Sequence, residues 1–123
     1  MKTFAELGLK EQILNAITEI GYEQPTPVQA AVIPVLLGEE NTADGAAVPT
    51  QDIIALAQTG TGKTAAYGLP VLQNVDADDR STQVVILSPT RELCLQIADA
   101  LKDYSRYIDG LHVVAVYGGA GIE

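Results

Sequence analysis

The chain has 123 residues, 47% of them hydrophobic, with 7 basic against 16 acidic side chains and a formal net charge of −9. That length allows at most one domain. The acidic balance excludes nucleic-acid binding driven mainly by bulk attraction, leaving such binding to a few placed groups, to backbone N–H donors or to a further part of the protein. The single cysteine, Cys94, has no partner for an internal disulfide, and the start Met1-Lys2-Thr3-Phe4 lacks the apolar run of a signal peptide. The longest apolar stretch, Ala30 to Leu37, is interrupted by Pro34 and is too short to span a membrane. The expected location is the reducing cytoplasm.

Leu9, Ile13, Ala16, Ile17 and Ile20 recur at helical spacing, with Lys10, Glu11, Asn15 and Glu19 on other faces and Gly21 placed as a C-terminal cap. This predicts an amphipathic surface helix. Thr26 and Pro27 suit the N-cap and first residue of a second helix, whose apolar side would be Val28, Ala31, Val32, Val35 and Leu36. Pro34 is expected to kink or split it. From Gly38 to Asp52 the chain is small, polar and turn-rich, and is expected to be an irregular, disordered surface loop.

Ile53 to Ala57 is a short, apolar run that reads as a buried strand. It leads into Gln58-Thr59-Gly60-Thr61-Gly62-Lys63-Thr64 and then the start of a helix, which is the context of a phosphate-binding P-loop. Glycines let the backbone curl with its N–H groups inward, and the helix start adds unpaired donors and the positive end of its dipole. Lys63 would reach the β and γ phosphates of a nucleotide, and the Thr64 hydroxyl would bind a bridging Mg²⁺. The strict pattern has Gly where Ala57 stands.

A helix follows from Thr64 to about Val75, bent at Gly68 and Pro70, with Ala65, Leu69 and Leu72 toward the strand. Asp76 to Ser81 reads as a charged, solvated connection rather than a metal site. Val84 to Leu87 is a second expected buried strand, closed by Ser88-Pro89-Thr90. The next helix carries Leu93, Leu95, Ile97, Ala98 and Leu101 and ends before Gly110, and Val113 to Tyr117 forms a third strand ending in Gly118-Gly119. Alternating strands and helices imply an α/β fold with a parallel sheet, joined by right-handed crossovers.

Three features keep two readings open on residue chemistry alone. Gln29 is either a solvated helix residue or an amide presenting donor and acceptor to an adenine edge. Phe4 and Tyr22 are either core residues or platforms for a base. Arg91 is either one half of a helix-start salt bridge or a charged fork for phosphate. Cys94 and His112 read as structural residues, Cys94 small and buried.

Phe4, then Gly21-Tyr22-Glu23-Gln24-Pro25-Thr26-Pro27-Val28-Gln29, then Ala57 to Thr64 resemble the opening of a DEAD-box ATP-dependent RNA helicase. The first two resemble that family's Q motif; the third resembles its motif I, in which Ala commonly replaces the first glycine. Pro89-Thr90-Arg91-Glu92-Leu93, with Gln96, resembles motif Ia, and Gly118-Gly119 resembles the GG motif. The resemblance implies a RecA-like P-loop domain with a parallel sheet and flanking helices, incomplete here with its first three strands only. Residues 1–123 would be part of the first helicase ATP-binding domain, with the Q motif at 4–29, a loop insertion at 38–52 and the P-loop at 57–64.

It further implies that Gln29 selects adenine, that Tyr22 or Phe4 stacks on it, and that Gln58, Thr59, Gly60, Thr61, Gly62, Lys63 and Thr64 hold Mg-ATP, with Lys63 and Thr64 also in catalytic roles. Pro89, Thr90, Arg91, Gly118 and Gly119 would meet RNA backbone without reading bases. Hydrolysis usually needs an apolar strand ending in Asp or Asp-Glu, yet the later runs end in Ser88 and in Tyr117-Gly118, and no Asp-Glu-Ala-Asp is present. These residues are therefore expected to bind ATP and RNA without cleaving ATP. The alternatives are a non-catalytic or self-associating P-loop module, and a P-loop kinase or GTPase, the last opposed by Gln29. With so few strands the P-loop strand would border open positions, so the chain is expected to be a fragment or to complete its sheet with another copy or chain.

Overall fold

The computed structural model describes residues 2–38, 53 and 62–118. Four helices carry the core: α1 (Glu11–Ile20), α2 (Pro27–Leu37), α3 (Lys63–Asn74) and α4 (Arg91–Tyr104), preceded by a 3₁₀ turn at Ala5–Leu7. None is long and apolar enough to cross a membrane.

The helix starts and stops follow local chemistry. α1 buries Ile13, Ala16 and Ile17 and ends at Gly21, which adopts a left-handed conformation and donates its N–H to the carbonyls of Ile17 and Thr18. α2 opens with a capping box: the Thr26 hydroxyl accepts from the Gln29 N–H while the Gln29 side chain accepts from the Thr26 N–H. Pro34 neither splits nor ends α2, which runs on to Leu37. The lost backbone bond is offset by packing against α3, and Ile33, absent from the expected apolar side, is fully buried there, whereas Ala31 is exposed. Pro70 likewise lies inside an unbroken α3 with no exposed surface.

α3 and α4 approach closely at Gly68. A Cβ at that position would lie 2.8 Å from Leu101 Cδ2, so any larger residue would force the Leu101 side chain to shift. α4 is capped by the Thr90 hydroxyl, which accepts from the Leu93 N–H at 3.1 Å, and it has Glu92 in its first turn and Lys102 in its last, each complementing the helix dipole. Ile97, Ala98, Leu101 and Tyr104 form its buried face. Ala65, Leu69 and Leu72 of α3 are buried in one cluster with Phe4, Leu7, Leu9, Ile13, Ile17, Ile33 and the buried face of α4.

Two polar clamps hold distant segments on this core. The Gln73 amide accepts from the Lys10 N–H at 2.7 Å and donates to the Gly8 carbonyl at 2.9 Å, fixing the approach to α1 against α3. The Glu19 carboxylate accepts from Arg106 Nη1 at 2.8 Å and from the Tyr107 hydroxyl, and those two bonds hold it below the usual carboxylate range. It fastens α1 to the segment after α4.

The expected sheet is not formed among the described residues. Residues 84–87 and 113–117 run without regular secondary structure, and of 53–57 only Ile53 is described. A strand exists only through a ladder with a neighbour, and no such ladder joins the described residues. The two runs are also not covered on both faces as expected. Ile86 and Val113 pack on the helical core, while Val85, Leu87, Val114 and Val116 are 73%, 89%, 77% and 73% exposed. This period-two alternation is the pattern of a surface covered on one side. Asp76 to Ser81 forms a self-bonded connection, and no group of potential metal ligands occurs among the described residues. Residues 39–52, most of the expected insertion, lie outside the described residues.

Removing the Gln73 clamp should be measurable. Gln73→Ala deletes an acceptor for the partly buried Lys10 N–H and a donor to the exposed Gly8 carbonyl and is expected to lower unfolding free energy by about 1–2 kcal/mol in urea titrations; a loss under about 0.5 kcal/mol would show that water replaces both bonds.

Candidate functional site

Gly62 is the hinge of the site. It sits at φ +82° as the N-cap of α3, with Lys63 and Thr64 as the first two helical residues. Its carbonyl accepts from the Ala66 N–H at 3.1 Å and from Gln29 Nε2 at 3.2 Å. Lys63 is exposed and Thr64 half-buried. Burial pushes the Tyr67 hydroxyl up in pKa, opposed by a hydrogen bond with the Thr64 side chain one turn earlier. Lys63 and Thr64 thus stand at a helix N-terminus, where N–H groups and the dipole favour an anion. Ala57, Gln58, Thr59, Gly60 and Thr61 lie outside the described residues.

Gln29 is buried, 4% exposed, which removes the solvated reading. Its Oε1 accepts from the Thr26 N–H at 2.9 Å and its Nε2 donates to the Gly62 carbonyl. These contacts use one lone pair and one N–H of an amide that has two of each. The amide therefore ties the start of α2 to the start of α3, and among the described residues its second N–H and second lone pair make no further bond. Phe4 is a core residue, 5% exposed, with its ring stacked on that of Tyr22 at 6.3 Å and 24°. Tyr22 is half-buried, and its hydroxyl shares a hydrogen bond of 2.8 Å with the Tyr104 hydroxyl.

The second cluster lies at the other end of α4. Pro89, Thr90, Arg91 and Gly118 line one cavity of about 340 Å³ together with Ser88, Cys94 and Tyr117. Arg91 pairs with no carboxylate among the described residues. Its Nη2 donates to the Gly118 carbonyl at 2.8 Å, and its guanidinium lies 5.5 Å from the centre of the Tyr117 ring. The Thr90 hydroxyl is engaged as the α4 cap. Cys94 is only partly buried, a correction to the expected buried position, and its Sγ lies 3.8 Å from the Val116 carbonyl oxygen. Gly119 lies outside the described residues.

The family model described as DEAD/DEAH box helicase matches residues 26–123, taking in Gln29, Lys63 and Arg91 alike. The chain belongs to this family. An ATP-dependent RNA helicase DeaD from Klebsiella pneumoniae is 50% identical over 117 residues, which is 95% of this chain and 16% of that protein. Among solved structures, the RNA-helicase Prp28 from Chaetomium thermophilum bound to ADP matches with a TM-score of 0.78 at 35% identity, covering 98% of this chain and 28% of that one. Dbp5 from S. cerevisiae bound to RNA and ADP BeF3 matches with a TM-score of 0.77 at 34% identity, over 87% of this chain and 25% of that one. The chain thus spans less than one fifth of the curated relatives it matches.

For this DEAD-box chain, the described residues bring together Gln29 with Gly62, Phe4 with Tyr22, and Arg91 with Gly118. Sequence reading passed over Gln73, Tyr104 and Tyr117. Their partners lie 65, 82 and 26 positions away at Gly8, Tyr22 and Arg91, beyond the reach of local spacing. Gly62 is the position least tolerant of a side chain, since a Cβ there would come within 2.3 Å of Gln29 Nε2. Gly62→Ala is expected to lower stability by about 1–3 kcal/mol, from left-handed strain and the displaced amide. Unchanged melting would show that the amide moves aside without consequence.

Proposed function

We propose that this chain supplies the ATP- and RNA-binding opening of an ATP-dependent RNA helicase. The observation that carries the reading is the hydrogen bond between the Gln29 amide and the Gly62 carbonyl, because it joins the adenine-reading group to the phosphate-binding turn. The relatives' names point the same way: DeaD is an ATP-dependent RNA helicase, Prp28 is bound to ADP, and Dbp5 is bound to RNA with ADP BeF3. In this reading the remaining N–H and lone pair of Gln29 meet the N7 and N6 edge of adenine, and Tyr22, the more exposed of the Phe4–Tyr22 pair, stacks on the base. The turn from Gln58 to Gly62 and the α3 N-terminus cradle the phosphates, and Lys63 offsets their charge.

Mg²⁺ fits the donor set. It takes hard oxygen ligands and is usually held by one or two protein groups together with phosphates and water, and Thr64 offers a hydroxyl oxygen at the second position of α3. When bound, the ion neutralises charge on the triphosphate. The apolar runs after the P-loop end in Ser88 and Tyr117-Gly118 rather than in Asp, so residues 1–123 hold ATP and leave its cleavage to groups from elsewhere in the protein. RNA backbone lies along the cavity of Pro89, Thr90, Arg91 and Gly118, in contacts that do not read bases.

Gln29→Ala is expected to reduce the preference for ATP over GTP about tenfold, or ~1.4 kcal/mol, while Lys63→Ala should weaken ATP far more than adenosine. A preference that survives Gln29→Ala would overturn the adenine assignment. Arg91→Gln keeps a donor for Gly118 but loses the charge; it should weaken single-stranded RNA and lower the slope of log K against log salt by about 0.7. An unchanged slope would show that Arg91 orders Gly118 and touches no phosphate.

A further inference from the structure

Tyr104 closes α4 and is buried, 4% exposed, yet its hydroxyl reaches the Tyr22 hydroxyl at 2.8 Å, with ring centres 6.0 Å apart and planes tilted by 57°. Two phenylalanines would fill much the same space without any polar atom to satisfy. A buried hydroxyl left unpaired is costly, so the pair favours the arrangement in which each hydroxyl serves the other. Such a bond adds little net stability, but it selects one depth and one plane for the Tyr22 ring.

Phe4 constrains the same ring by stacking on it. Of the three aromatic residues, Phe4 and Tyr104 are buried and Tyr22 is half-buried, so Tyr22 alone retains substantial surface for a ligand. Tyr104 is itself seated firmly. Gly68 of α3 lets α4 come close, and a Cβ there would touch the Tyr104 ring at 3.9 Å. Burial, and then the bond with Tyr22, push ionisation of the Tyr104 hydroxyl well above the ordinary tyrosine range, so it keeps its proton at any working pH.

We propose that Tyr104 is a positioning residue for adenine-nucleotide binding, acting through its hydroxyl on Tyr22. The inference rests on the assignment of Tyr22 to the base made above. It gives α4 a role at both ends, with Arg91 opening the helix at the cavity beside Gly118 and Tyr104 closing it against the adenine side.

The test uses the full-length protein, with ADP and inorganic tripolyphosphate each competing against a fluorescent ADP. Tyr104→Phe is expected to weaken ADP about three- to tenfold and leave tripolyphosphate unchanged. In a Tyr22→Phe background, Tyr104→Phe should have no further effect, because the hydroxyl it acts on is gone. Equal weakening of ADP and tripolyphosphate, or an effect that persists in the Tyr22→Phe background, would overturn the proposal by showing a general loosening of α4. Tyr22→Ala separates the two layers. If it weakens ADP while Tyr104→Phe does not, the positioning role fails and base stacking stands. If Tyr22→Ala leaves ADP binding intact, base stacking fails and the positioning role fails with it.

Discussion

One carbonyl has to serve two donors where α2 and α3 begin. The Gly62 oxygen closes the first turn of α3 through Ala66 and also receives the Gln29 amide from α2. That arrangement requires the left-handed backbone at Gly62 and leaves no room for a side chain there. Because the same amide accepts from the Thr26 N–H, it also completes the cap of α2. Two helix N-termini are therefore registered on one planar group, and their dipoles bring positive potential to the same place. The chain is acidic overall, so the proposed phosphate site would draw its anion by local geometry rather than by net charge.

The second organising element is α4, whose 14 residues span about 21 Å. Close contact at Gly68 fixes it to α3, and the Glu19 clamp fastens the segment just beyond it to α1. Helices of this length bend little when buried along one face, so the groups at the two ends keep their separation. A rigid strut between the proposed base platform and the proposed backbone-binding cavity would let each site be built precisely without the two touching.

What could be read from the sequence was local. The Gly21 stop, the Thr26-Pro27 start and the order of the helices each depend on residues within a turn of one another, and each stands as expected. Pro34 does not split α2: the cost of a proline inside a helix is visible in sequence, while the packing that offsets it, around Ile33, is not. The apolar runs at 84–87 and 113–117 carried a strand signal, but a strand is a relation between segments, and composition alone does not supply the partner. Family resemblance brought Gln29 into the site; it did not show that the Gln29 amide already holds Gly62. Tyr104 stayed unread because hydroxyl pairing across 82 positions leaves no periodic trace.

The aromatic inventory has an optical consequence. These 123 residues contain no tryptophan and five tyrosines, so their intrinsic emission comes from tyrosine. Tyr22 and Tyr104 share a hydroxyl bond beside the proposed base platform, Tyr67 bonds the Thr64 side chain, and Tyr117 lies beneath Arg91. Four of the five chromophores thus stand at the two candidate sites, and only Tyr107, on Glu19, stands apart. The unlabelled chain carries its own reporter, in which a base stacking on Tyr22 and a strand displacing Arg91 would change the light from different rings.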